Sequence, residues 1–141
     1  KNVLTARPTI TLDMSPEATE KGGYAHYMLK EIYEQPDALK RTLAGRLSLE
    51  SDLADIGLTA DVDRLQAMDK IIIAGCGTSW HAALIGEYLI EKIARIPVEV
   101  EYASEFRYRD PILTPNNCLI AISQSGETAD TLAAIQQARA N

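Results

Sequence analysis

Two segments of this chain share one plan, and that plan limits the folds open to it. "DKIIIAGCGTSW", residues 69–80, runs from a β-branched apolar stretch into small and hydroxyl residues. "NNCLIAISQSGETADT", residues 116–131, does the same. A strand with no polar alternation is covered on both faces, as in a parallel sheet. Parallel neighbours need crossover connections, usually helices. Helical spacing follows each strand. Ala82, Ile85, Leu89 and Ile93, near helical spacing, mark a helix over Ser79–Arg95, and "GETADTLAAIQQARAN" marks another. Between them "PVEVEYA" alternates like a strand, and "SEFRY" has the look of one helical turn. The order β-α-β-turn-β-α predicts a three-layer α/β/α core. Its parallel sheet, in flavodoxin-like order 2-1-3, has central strand Lys70–Gly75 and third strand Cys118–Ile122.

The first part of the chain has a different texture. Residues 1–23 read as a leader or linker, with a short strand at "TITLDM" and linker composition in "SPEATEKGG". A helix is expected over Tyr24–Glu34, with Tyr24, Tyr27, Met28 and Ile32 on one face. Pro36 disfavours helical backbone at Gln35, so a break is expected there. A second helix would then start with proline in its first turn and carry Leu39, Leu43 and Leu47 as its stripe. Residues Ser48–Leu58 fit no single pattern, and Thr59 can cap a short helix to about Met68. The domain reading is a linker over 1–23 and one α/β domain part over 24–141.

Composition removes several function classes. The net charge of -6 over 141 residues argues against nucleic acid and membrane surfaces as partners, because both need clustered positive charge. No stretch reaches the ~18 apolar residues of a membrane span. The chain opens on Lys1 with no targeting pattern, and is expected to be part of a longer, truncated protein. Its two cysteines, Cys76 and Cys118, fit reduced core thiols of a cytoplasmic protein. His26 and His81 are the only histidines and share no ligand spacing, so no metal site is expected.

The two loops carry the chemistry. In an open parallel sheet ligands bind beyond the carboxyl ends of the strands, where strand order reverses. In the order 2-1-3 that point lies between strands one and three, the strands that end in "CGTS" and "SQSGET". Each loop also opens a helix, whose free N–H groups and dipole suit an anion, commonly phosphate. Ser79, Ser123, Ser125 and Thr128 add hydroxyl donors, and Gly77 and Gly126 let the backbone come close. The pairing points to a phosphate cradle made of dipoles and hydroxyls, with Thr78 and Gln124 left to read a small polyol. Taken singly, either loop is equally well an ordinary helix cap. A dinucleotide site fits less well: "GCGTSW" lacks the third glycine of G-x-G-x-x-G. Cys76 has no base placed near it and reads as packing. The arginines of "EFRYR" read as solvated or paired surface, and Trp80 and His81 as packing or surface residues.

"CGTS" and "SQSGETADT", with "EYASEFRYR" between them, resemble the sugar isomerase (SIS) domain. "GGYAHYMLKEIYEQPDAL" resembles the segment that joins glutaminase and isomerase domains in the glucosamine-6-phosphate synthase family. The resemblance covers roughly residues 10–141. It implies the first SIS subdomain of a cytoplasmic homodimeric enzyme without a cofactor. Such an enzyme takes ammonia from glutamine and makes glucosamine 6-phosphate from fructose 6-phosphate. It implies phosphate-loop roles for Ser123, Gln124, Ser125 and Thr128, and sugar-facing roles for Thr78 and Ser79. The family's cysteine nucleophile, acid/base glutamate, Schiff-base lysine and ring-opening histidine come from other segments, so no catalytic residue is expected in this chain. His26 and His81 do not fill that role. Two other readings stay open: a non-catalytic SIS sensor of sugar phosphates, and an SIS deglycase acting on fructosamine 6-phosphates.

Overall fold

The computed structural model describes residues 20–47, 54–55, 57–58 and 62–140. The expected strand at "TITLDM" and the Thr59 cap lie outside them. The chain divides into two units, residues 1–57 and 58–141.

The first unit is built on α1 (Tyr27–Leu43), a single helix that runs through Pro36. The expected break does not occur. Proline removes one intrahelical bond, the one its N–H would give to the carbonyl of Ile32. Ile32 is 50% exposed, so the bond is lost on an exposed helix and not in a core. Tyr24 precedes the helix and stacks on Tyr33 with ring centroids 5.7 Å apart. Leu47 lies beyond the helix and pairs with Ala54 in an isolated antiparallel bridge. Lys30 is buried in this unit, and its ammonium donates to the carbonyl of Glu20.

The second unit holds α2 (Val62–Gln66), β1 (Lys70–Gly75), α3 (Thr78–Ala94), β2 (Val98–Tyr102), α4 (Ala103–Arg109), β3 (Asn117–Ile122) and α5 (Ala129–Ala140). The three strands form a parallel sheet in the order β2-β1-β3. This is the three-layer α/β/α arrangement and strand order expected from the sequence. Polar groups fix the register at the amino end. The Asp69 N–H donates to the Asn116 carbonyl at 3.1 Å, and the Asn116 amide donates to the Asp69 carboxylate at 3.0 Å.

Each face of the sheet has its own core. On one side Ile73 and Val98 pack with Ala83 and Ile90 of α3. On the other, Ile72 and Ala74 meet Ala103 and Phe106 of α4 and Ala134 of α5. On α3 the residues picked out by helical spacing do not make the buried side: Ile85, Leu89 and Ile93 are exposed, Ile93 at 76%. The sheet instead takes the face with small residues, Ala83 and Gly86. A Cβ on Gly86 would sit 3.5 Å from Cδ1 of Ile73, so the helix lies close. The "SEFRY" turn is longer than expected and forms α4, which packs through fully buried Phe106. It ends at Asp110 in a left-handed conformation, just before Pro111.

β3 is an edge strand of this sheet, with a groove against each face. One, about 520 Å³, is lined by Leu65, Met68, Cys118 and Ile120. The other, about 410 Å³, is lined by Leu119, Ala121, Ile135 and Ala138. An apolar edge without proline or charge is a template for strand pairing. The 141-residue chain is therefore expected to sediment as a dimer or larger species, and Ile120→Lys to shift it towards monomer. A monomer at high concentration would show the edge to be covered.

Candidate functional site

The site begins with the register of β1 against its neighbours. Gly75 stands level with Tyr102 of β2 and with Ile122 of β3. Adjacent strands lie about 4.8 Å apart. The loops that leave β1 and β3 therefore start side by side, at the carboxyl edge. The helices that follow pack on opposite faces, α3 on one and α5 on the other, so the gap between β1 and β3 is the topological switch point.

The β1–α3 loop is short and close to the strand. A Cβ on Gly75 would lie 3.1 Å from the Ser79 Cβ and 3.2 Å from the Trp80 nitrogen. A side chain at this position would crowd the first turn of α3. Gly77 caps the helix at φ 59 and ψ -130, a backbone state that side chains rarely accept, and no side chain bonds the cap. Its carbonyl accepts from the N–H groups of Trp80 at 3.1 Å and His81 at 3.3 Å. Thr78 and Ser79 are thus first-turn residues of α3 and not caps. Thr78 is exposed and Ser79 half-buried.

The β3–α5 loop is held by its own serines. The Gly126 N–H donates to the Ser123 hydroxyl oxygen at 3.0 Å, and the Glu127 N–H to that of Ser125 at 3.1 Å. This bracing lies within the loop, ahead of α5, and is not the helix cap weighed for it. It does not use up the hydroxyls, because each O–H remains a donor after its oxygen has accepted. Thr128 is the residue before α5, and its carbonyl accepts from the Leu132 N–H at 3.0 Å. Ser123 and Thr128 are half-buried, while Gln124 and Ser125 are exposed.

The arginines of "EFRYR" are paired. Arg107 bonds Asp130 at 3.2 Å, which ties α4 to α5 and offsets the acid in the first turn of α5. Arg109 bonds Glu99 at 3.1 Å and also reaches Glu101, while Lys70 pairs with Glu99. Lys70's hydrogen bond holds the Glu99 carboxyl below its ordinary range. Burial, with help from Glu99, pushes the Glu101 carboxyl up. The sequence reading did not single out Gly75 or the Arg107–Asp130 tie. Gly75 had a signal in the first glycine of G-C-G; the ion pair spans 23 positions and had none.

Both cysteines are free and half-buried, and burial pushes the Cys118 thiol up, consistent with packing. Among the described residues no group of three His, Cys, Asp or Glu side chains is placed to hold a metal. Among them, too, no helix is long and apolar enough to cross a membrane.

Comparison with known proteins places this arrangement. The SIS domain model matches residues 64–141, and the chain belongs to the SIS domain family. Within it, the chain is 54% identical over 140 residues to glutamine–fructose-6-phosphate aminotransferase [isomerizing] of Chlorobaculum tepidum, covering 99% of this chain and 23% of that protein. The protein of the same name from Bacteroides thetaiotaomicron is 57% identical over 123 residues, 85% of this chain and 20% of its own length. The chain thus spans about a fifth of the length of these relatives. Among solved structures, the C-terminal domain of glucosamine-fructose-6-phosphate aminotransferase from Francisella tularensis superposes with a TM-score of 0.77 at 41% identity, over 87% of this chain and 34% of that one.

The glycine packing generates a contrast. Gly75→Ala puts a methyl against backbone and is expected to cost about 1–3 kcal/mol as overpacking. Gly86→Ala makes ordinary contact and is expected to be neutral or to gain up to about 1 kcal/mol of helix propensity. Urea denaturation of the two variants checks this; equal losses would contradict the close passage at Gly75.

Proposed function

We propose that this chain is the sugar-phosphate-binding part of the isomerase half of a cytoplasmic glutamine–fructose-6-phosphate aminotransferase (isomerising). Residues 24–141 form that part and residues 1–23 join it to a glutaminase domain. The observation that carries the proposal is the level ending of β1 and β3, which sets "CGTS" and "SQSGET" side by side in a chain 54% identical to a relative of that name.

The phosphate sits at the amino end of α5. It takes hydroxyl donors from Ser123, Ser125 and Thr128, and orphan N–H groups from the first helical turn. Gln124, Thr78 and Ser79 face the sugar hydroxyls. A dianion held this way needs no cation, because hydrogen bonds to charged groups are the strong ones and the helix dipole adds to them. The parent enzyme would use fructose 6-phosphate and glutamine-derived ammonia to make glucosamine 6-phosphate, and work as a homodimer. This chain's share is binding and orientation. The sequence offers no nucleophile–base pair that would carry turnover here.

Calorimetry with glucose 6-phosphate against glucose tests the reading, and the phosphate ester is expected to bind and plain glucose to bind far more weakly. Ser125→Ala and Thr128→Ala should each weaken glucose 6-phosphate by about 1.5–3 kcal/mol, the scale of one hydrogen bond to a charged group. Lys70→Ala or Arg95→Ala should change it little. Equal affinity for the two sugars would count against a phosphate cradle.

A further inference from the structure

Thr78 and Ser79 have a neighbour that the binding proposal leaves without a role. The Trp80 indole lies flat on the Tyr102 ring, with centroids 4.4 Å apart and planes 9° from parallel. His81 meets the indole edge-on at 5.1 Å. The stack joins the first turn of α3 to the last residue of β2, the residue paired with Gly75. It is a long-range contact at a helix start whose cap has no side-chain hydrogen bond and whose Gly77 holds an unfavourable backbone state. Backbone bonds from Trp80 and His81 to Gly77 shape the turn locally, and the close passage at Gly75 and the Ala83 contact seat it on β1. Tyr102 ends the neighbouring strand, so a ring laid on it ties the same turn to β2 as well. Shape and burial favour flat stacking of two aromatic faces, which adds attraction beyond the area covered.

We propose that the Trp80–Tyr102 stack holds the β1–α3 loop in place for the sugar end of the ligand, so that Trp80 is a positioning residue for Thr78 and Ser79. The inference rests on the sugar-phosphate reading and deepens it by separating two jobs. The β3–α5 loop holds phosphate, and the aromatic pair governs how the sugar is presented. Trp80 is the only tryptophan in the chain, so it also reports on this loop directly.

The test uses the 141-residue chain with glucose 6-phosphate and inorganic phosphate as probes. Trp80→Ala and Tyr102→Ala are each expected to weaken glucose 6-phosphate about three- to tenfold, the effect of one aromatic pair. The double variant should lose no more than either single one. Inorganic phosphate affinity, read by competition, should not change, and Trp80→Phe should restore most of the sugar-phosphate affinity. In the wild type, the tryptophan emission should shift with glucose 6-phosphate and stay still with inorganic phosphate. If the alanine variants do not fold, the wild-type emission decides. Emission that stays still while calorimetry shows binding overturns the inference, as does unchanged affinity in folded Trp80→Ala. Equal losses for both probes would also overturn it, since the residue would then be merely structural. No binding of glucose 6-phosphate by the wild type overturns the function reading and this inference with it; the other outcomes touch the inference alone.

Discussion

β1 and β3 run parallel in a register that puts Gly75 beside Ile122, and the geometry of both loops follows from it. One residue of slip would move one loop up the sheet and turn the apolar side chains of β3 to the wrong faces. The register is fixed at the other end of the strands, by the reciprocal bonds of Asp69 and Asn116. It is kept by two cores that differ in size of residue. α3 comes close through Ala83 and Gly86, while α4 and α5 fill their side with Phe106 and Ala134. What is built at the carboxyl edge inherits its placement from these contacts.

On the proposed reading, the same edge explains how an acidic chain would hold an anion. Arg107 is committed to Asp130, and Arg109 and Lys70 to the glutamates of β2. Those pairs hold α4 to α5 and to the sheet, and they leave the loops to work through dipoles and hydroxyls. Ser123 and Ser125 accept from their own loop and so stand in fixed positions with their O–H groups still to give. Such donors are set before a ligand arrives, which lowers the ordering cost of binding. On that reading a neutral sugar gains little from them.

The sheet and its order were legible because buried parallel strands write themselves as unbroken Ile, Leu and Val runs, and "KIIIAG" and "CLIAI" are such runs. The paired loops were legible for a related reason: a strand that stops in glycine and serine has little else to become. The resemblance to SIS domains rested on those same loops. Helix faces were less legible. Ile85, Leu89 and Ile93 have helical spacing, but α3 carries apolar residues on more than one side, and the sheet took the side with Ala83 and Gly86. Pro36 reads as a break because proline disfavours helical backbone at the residue before it, yet α1 keeps Gln35 helical and runs on. The Trp80–Tyr102 stack was out of reach because it depends on β2 ending level with β1, a tertiary fact.

The central claim is that the two loops form one site. It is tested most directly by following the backbone amides of the chain by NMR during a titration with glucose 6-phosphate. The account predicts that residues 76–80 and 123–130 shift together, along a single binding curve, while the amides of α1 and the amino ends of the strands stay still. Shifts confined to one loop, two curves with different midpoints, or a response centred on the outer edge of β3 would contradict it.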